Sequence, residues 1–352
     1  MKKISLAELT HKNWRRIGGW LLVVLLLTVA AYYGIQAAMV DERTPRKLVV
    51  YAFSTQEEVF SQEVFSAFER AWKTETGQDL TIEGIFGPSA TLAEQIILGA
   101  PADVAVFSNA QHVNWLKMSR MVGLNNQPLM IGCTPIVIVV RPGNPAGIVE
   151  FDDLMQPGLC LIHPDPRTSG AGEWGVLAVY GNVYLETQNE TAAKDQLKEV
   201  WKNVRLLAPS ARAALTLFEL GACDALITYE QDARLALARG VSLEIVVPAQ
   251  TILAQPVAVI VDKNVNRAEH TLAQAFIDFL ASEDGQMIFT RYQLRTISIS
   301  SAQFPPLVHS FTVEDLGDWP HAYGDLIESL WKIEIEPRLS LDSEPTLLET
   351  GE

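Results

Sequence analysis

Residues 47–118 alternate short apolar runs with longer stretches of helical spacing, and few folds accommodate that pattern. The runs 47–52, 80–85 and 103–107 read as strands, and helices are expected to open at Ser54 and Ser89 and to cover 110–118. Ser54 and Glu57 have the spacing of a capping box, after which Phe65, Phe68 and Trp72 fall on one helical face. A β-α-β-α-β-α order predicts a parallel sheet covered by helices, with ligands at the carboxyl ends of its strands.

A second α/β unit follows. Residues 135–140 read as a strand leaving the first unit, and 159–162, 204–207 and 224–228 as strands of the second. The helix after Pro209 carries Leu215, Phe218 and Ala222 on its inner face. Residues 251–261 are apolar enough for one strand returning to the first unit, with helices at 271–281 and about 286–292 beyond it. The tail 338–352 holds Asp342, Glu344, Glu349 and Glu352 with few apolar anchors and is expected to be disordered.

Between the strand at 159–162 and the apolar stretch 174–180 lies Pro164-Asp165-Pro166-Arg167-Thr168-Ser169-Gly170-Ala171-Gly172-Glu173-Trp174. The first N–H groups of a helix have no internal acceptor, and with the helix dipole they attract anions. Ser169 can cap the helix and add a hydroxyl, while Gly170, Ala171 and Gly172 leave the amides uncovered. Similar strand-to-helix corners occur at Ser54, Ser89, Ser210-Ala211 and Tyr229, and none begins its helix with Lys or Arg. Five such corners facing one cleft form a cage of neutral donors, although α/β proteins have many ordinary caps. Six or seven charge-assisted bonds at ~1.5–3 kcal/mol each can offset burial of a dianion and leave micromolar binding.

Residues 17–40 contain no charged side chain, and Lys2, Lys3, Lys12, Arg15 and Arg16 precede them. This reads as a basic cytoplasmic segment, 1–16, and an uncleaved transmembrane anchor, 17–40, that places the rest on the outer face of the membrane. Gln36 stands where a signal-peptide cleavage site wants a small residue. Past residue 40 the chain has 22 basic and 41 acidic residues, which argues against nucleic acid as a partner. Cys133, Cys160 and Cys223 lie in apolar runs and are expected to be buried thiols rather than a disulfide. The six histidines include no pair at metal-ligand spacing, and no nucleotide loop or Gly-x-Ser-x-Gly elbow is present. Neither an enzyme nor a metal or other cofactor is expected. Ser169 with His163 as base is set aside for want of the elbow.

These motifs, with the later Ser210-Ala211-Arg212 and Phe304-Pro305-Pro306-Leu307 through Phe311-Thr312-Val313, resemble the periplasmic sulfate-binding proteins of ABC importers over roughly residues 48–319. Gly87-Pro88-Ser89-Ala90-Thr91-Leu92-Ala93, Gly99-Ala100-Pro101-Ala102-Asp103 and Ile227-Thr228-Tyr229 are instead similar to molybdate-binding proteins of the same superfamily. The resemblance implies an α/β, two-lobed type II periplasmic-binding fold whose lobes close over a dehydrated oxyanion, with lobe 1 at 47–136 and 256–335 and lobe 2 at 137–255. It implies a ligand set of Ser54, Ser89, Ser169, Gly170, Ala171, Ala211 and the Tyr229 side chain, with Arg167 and Arg212 bracing the loops. The chain lacks the sulfate family's aspartate near Phe53-Ser54, and Tyr229 replaces a tryptophan, as in the molybdate family. Expected partners are sulfate, thiosulfate or molybdate, the permease subunits of an ABC importer, and the inner membrane at its periplasmic face. An anchored domain that senses an anion or scaffolds a complex without transport is the other function class.

Overall fold

The computed structural model describes residues 25–29, 31, 46–296 and 303–337. Two compact units are distinguished, Leu48–Phe68 with Ile82–Glu352 and Met1–Lys47 with Glu69–Thr81. In the described part of the smaller unit the Arg46 amide donates to the Asp79 carbonyl at 2.8 Å, and Lys73 pairs with Asp79 at 2.8 Å. The larger unit carries the two sheets described next.

In chain order the first elements are β1 (Arg46–Phe53), a helical run that ends in α1 (Phe65–Thr76), β2 (Leu80–Gly87), α2 (Ser89–Ile97), β3 (Val104–Phe107) and α3 (Ala110–Met118). Then come β4 (Leu129–Met130), β5 (Thr134–Val140), β6 (Leu161–Pro164), α4 (Gly170–Thr187), α5 (Glu190–Trp201), β7 (Val204–Ala208), α6 (Ala211–Glu219), β8 (Ala225–Tyr229), α7 (Glu230–Ala238) and β9 (Glu244–Val246). The chain continues through β10 (Gln250–Ala254), β11 (Val257–Ile260), α8 (Arg267–Ala281), α9 (Glu283–Arg291), β12 (His309–Phe311) and α10 (Trp319–Ala322), which runs on as a π-type helix, Tyr323–Ile335.

One sheet has the order β2-β1-β3-β11-β4, with β1 parallel to β3 and β11 antiparallel to both β3 and β4. Tyr51, Leu92, Ile96, Phe107, Leu116 and Val259 share its core. The other sheet runs β12-β10-β5-β8-β6-β7, with β9 also on β5, over a core containing Val137, Val139, Ile162, Leu215, Phe218 and Leu226. Fully burying each such side chain stabilises the fold by ~1.5–3 kcal/mol. Strand β6 lies between β7 and β8 and runs parallel to both, so α4, α6 and α7 all begin at the same end of this sheet.

The chain passes between the sheets after β4, again after β10 and a third time between β11 and β12, and the first passage is bonded to both of the others. The Ile131 amide donates to the Pro256 carbonyl at 3.0 Å, and Cys133 exchanges backbone bonds with Arg295. The expected single strand at 251–261 is therefore two strands in different sheets. Pro256 has no N–H to donate to a ladder, and the chain changes sheets there. β5 begins at Thr134, three residues before the expected boundary of 137, and β12 pairs with β10 in the second sheet although 256–335 were expected with the first. The C-terminal helix touches both lobes. Tyr323 packs on Trp115 at 5.5 Å, Trp319 packs on Trp174 at 4.6 Å, and Lys198 pairs with Glu334 at 2.7 Å.

The expectation of three free thiols is corrected, because Cys160 and Cys223 form a disulfide and only Cys133 is free. These cysteines precede β6 and β8, adjacent strands that start together, so residues 63 apart in sequence have Cα atoms 4.7 Å apart. No helix among the described residues is long and apolar enough to cross a membrane. The segment 1–16, nearly all of 17–40 and the tail 338–352 lie outside the described residues; 25–29 and 31 are helical and exposed.

Candidate functional site

The five sequence-expected corners differ in how their hydroxyls are used. Ser210 caps α6, accepting from the Ala213 amide at 3.1 Å. Ser169 occupies the N-cap of α4 but makes no capping bond, so its hydroxyl remains uncommitted at the helix end. The expected capping box at Ser54 does not form: Phe53 is the N-cap, with no side-chain bond. The next two residues turn toward α7 instead, where Thr55 donates to Asp232 and Gln56 to Gln231, each at 2.9 Å. Ser89 is the first residue of α2 rather than its cap, and its oxygen accepts from the Ser108 amide at 3.0 Å.

Contacts gather these corners around Ser108, which follows β3. Gly170 lies so close that a Cβ added there would overlap Ser108 Oγ. Trp174 Nε1 donates to the Ser108 carbonyl at 2.9 Å, and the Ala90 amide donates to the Thr168 carbonyl at 3.0 Å, joining the two lobes. Thr168 Oγ1 donates to the Pro209 carbonyl at 2.9 Å, bringing the Ser169 loop against Ser210 and Ala211. Tyr229 packs on Phe53, the neighbour of Ser54, at 6.2 Å between ring centres. Ser89, Ser169, Gly170, Ala171, Ala211 and Tyr229 are all buried and Ser54 is half-buried.

Tyr229 ends β8 with its hydroxyl turned toward the Ser108 side chain, yet that hydroxyl makes no hydrogen bond of normal geometry. Burial holds its phenol well above the usual range, so it remains a neutral O–H donor. Neither expected brace is free. Arg167 pairs with Asp165 at 2.7 Å and Glu336 at 2.6 Å, and Arg212 faces Glu58 at 3.6 Å. Among the described residues no group of three or more His, Cys, Asp or Glu could hold a metal ion.

Sequence reasoning passed over three residues at this place. Ser108-Asn109 forms a sixth strand-to-helix corner, with Asn109 capping α3. Glu173, the fourth residue of α4, has a fully buried carboxylate that accepts from Asn109 Nδ2 at 2.5 Å and lies 3.1 Å from His112 Nε2. The signal was an acidic residue in the first turn of the anion motif, where the helix dipole favours it.

The family model for "Bacterial extracellular solute-binding protein" matches residues 48–295. The sulfate-binding protein of Salmonella typhimurium is 34% identical over 282 residues, covering 74% of this chain and 83% of that protein. The thiosulfate-binding protein of Pseudomonas aeruginosa is 32% identical over 282 residues, with the same coverage of 74% and 83%. Among solved structures, the sulfate-binding protein SubI from Mycobacterium tuberculosis H37Rv superposes with a TM-score of 0.73 at 25% identity, covering 80% of this chain and 99% of that one. With two α/β lobes joined by three crossings, the chain belongs to the bacterial extracellular solute-binding protein family and has the periplasmic-binding-protein fold.

Proposed function

We propose that this chain captures a tetrahedral oxyanion, sulfate or thiosulfate, outside the cytoplasm and delivers it to an ABC importer without catalysing a reaction. The observation that carries the reading is the set of unspent neutral donors at the convergent helix starts. The buried Tyr229 hydroxyl is unpartnered, the Ser169 hydroxyl is uncommitted, and the amides of Gly170 and Ala171 open a helix. A buried donor left unpaired costs ~1–3 kcal/mol, which a bound anion returns. In this reading Ser54, Ser89, Ser169, Gly170, Ala171, Ala211 and Tyr229 donate to the anion, while Arg167 and Arg212 hold the loops through their carboxylate partners.

Calorimetric titration with sulfate, thiosulfate, molybdate, tungstate and phosphate at pH 7.5 tests it. Sulfate or thiosulfate should bind tightest, and phosphate at least about tenfold more weakly, because its proton meets donors only. Phosphate binding as tightly as sulfate refutes the donor-only cage, and molybdate winning by more than about tenfold reassigns the substrate.

The reading includes lobes that hinge at the crossings between the sheets and an anchor over residues 17–40 that keeps the protein beside its importer. The anchor is supported by the uncharged stretch and by the exposure of Leu25, Leu26 and Leu27. N-terminal sequencing of the membrane fraction tests it, and a mature terminus near Met39 would overturn it.

A further inference from the structure

We infer that Arg295, which lies outside the cage, is a positioning residue for the anion: it clamps Glu230 and so holds the neighbouring Tyr229 hydroxyl in reach of the ligand. The inference rests on the oxyanion reading above and adds to it the parts that aim its one aromatic donor.

Tyr229 needs such parts. Its phenol sits on the longest side chain of the proposed donor set, at the end of β8, whereas the amides of Gly170, Ala171 and Ala211 are fixed by the helices they open. A binding group serves its ligand only when it is held to within about 0.5 Å of the productive position. On its strand side Tyr229 is fixed by pairing with Ile136 of β5. On the other side it is the N-cap of α7 and makes no capping bond, so its position depends on what holds the first turn of that helix.

The first three residues of α7, Glu230, Gln231 and Asp232, are all buried. Glu230 accepts from Arg295 in a two-pronged pair, Nε to Oε2 at 2.7 Å and Nη2 to Oε1 at 2.9 Å. Arg295 is itself held on the passage between β11 and β12. Its Nη2 also donates to the Pro305 carbonyl at 3.0 Å, its guanidinium lies 5.0 Å from the centre of the Phe304 ring, and its backbone exchanges bonds with Cys133. Gln231 is tied at the same place, its amide donating to Thr134 Oγ1 at 3.1 Å and its side chain to the Tyr292 carbonyl at 3.2 Å.

The turn also faces the end of β1. Phe53 packs on Tyr229, Thr55 donates to Asp232, and Gln56 donates to Gln231. The segments 53–56 and 229–232 therefore lie against each other, one carrying Ser54 of the first lobe and the other Tyr229 of the second. Arg295 sets where the second segment stands, and with it the register of these two donors. An ammonium in its place would keep the charge but not the planar fork that grips both carboxylate oxygens.

The test is a double-mutant cycle read by calorimetric titration of the full chain with sodium sulfate at pH 7.5, with thermal melts of each ligand-free variant alongside. Arg295→Lys should weaken sulfate binding roughly tenfold. In the Tyr229→Phe background, where the hydroxyl is gone, the same change should cost less than about twofold, whatever it does to the melting temperature. Thr134→Val removes the acceptor of the Gln231 amide and should behave alike, and it decides if Arg295→Lys fails to fold. Arg295→Lys binding as tightly as the parent overturns the inference. An equal loss in both backgrounds also overturns it, because a residue that only supports the fold weakens binding whether or not the tyrosine hydroxyl is present. Tyr229→Phe binding as tightly as the parent removes Tyr229 from the cage and this inference with it, while leaving the rest of the oxyanion reading standing. No binding of any tetrahedral oxyanion by the parent overturns that reading itself.

Discussion

Replacing Gly170 by alanine isolates closure from folding, because the clash it creates lies between the lobes. The added Cβ would overlap Ser108 Oγ and sit 2.9 Å from Ser108 Cβ and 3.0 Å from Asn109 Nδ2. Rotating the serine relieves the first contact, but the second requires the backbone after β3 to move. Overpacking of this size costs ~1–3 kcal/mol, and the cost falls on the closed arrangement only. Sulfate should therefore bind roughly 5- to 150-fold more weakly while the thermal midpoint without ligand stays unchanged. Gly172→Ala provides the contrast: its Cβ would meet Pro164 O and Pro166 N, each at 2.5 Å, and Asp165 C at 2.6 Å. These are backbone atoms of the same lobe, so this variant should lose thermal stability with or without ligand. Adding Ser108→Gly to Gly170→Ala removes the two nearest contacts and should restore most of the affinity. Calorimetry and thermal melts of the three variants and the parent give the readout. Gly170→Ala binding as tightly as the parent, or no recovery in the double variant, refutes the reasoning.

Ser169→Ala should weaken sulfate binding roughly 10- to 150-fold, the worth of one charge-assisted bond at ~1.5–3 kcal/mol, whereas Arg167→Met should cost less than about fivefold because its half-exposed ion pairs are worth at most ~1 kcal/mol. Isothermal titration of both variants compares them directly. Replacing both Cys160 and Cys223 by serine opens a closure spanning 63 residues and should lower unfolding free energy by up to about 4 kcal/mol in urea melts. Sulfate affinity should be unchanged, because the disulfide sits at the opposite end of β6 and β8 from the corners. His163 is fully buried, and burial lowers its pKa from 6.5 to about 4, so the unfolded chain takes the proton first as pH falls. The stability it contributes is complete above about pH 6.5 and is lost between there and pH 4, on the order of 3 kcal/mol, and His163→Gln should show a smaller loss across that window in urea melts.

Much of the fold is legible in the sequence because strand and helix alternation is local. Apolar runs such as 103–107 and the cap before Ala211 depend on residues within one or two turns. What escapes is pairing at long range. The disulfide between Cys160 and Cys223 depends on β6 and β8 being sheet neighbours, which neither cysteine's surroundings reveal. The break at Pro256 was visible as a residue that cannot donate, yet its consequence, a change of sheet, depends on β5 and β3 waiting on either side. At the site, the corner positions could be read, but the state of each hydroxyl could not. Ser89 is committed by Ser108 and His112, and Ser169 is left free, although both stand at a strand-to-helix corner.

Electrostatics sets how the anion arrives. Past residue 40 there are 22 basic and 41 acidic residues, and the two arginines nearest the corners are paired with Asp165, Glu336 and Glu58. The attraction that remains comes from amides and hydroxyls at helix starts, and it fades within about one turn of each helix. At longer range an approaching dianion meets net repulsion, which salt screens over about 8–10 Å. In the proposed site, between Ser89 of one lobe and Ser169 to Ala171 of the other, it would be held by short-range bonds that salt barely reaches. Raising ionic strength with sodium chloride should therefore increase the association rate of sulfate and leave its dissociation rate nearly constant. Stopped-flow fluorescence can follow this through Trp174, which donates to the Ser108 carbonyl and packs edge-to-face on Trp319. An association rate that falls as salt rises would show an unpaired cationic side chain guiding the anion, and the account of a purely neutral cage would be wrong.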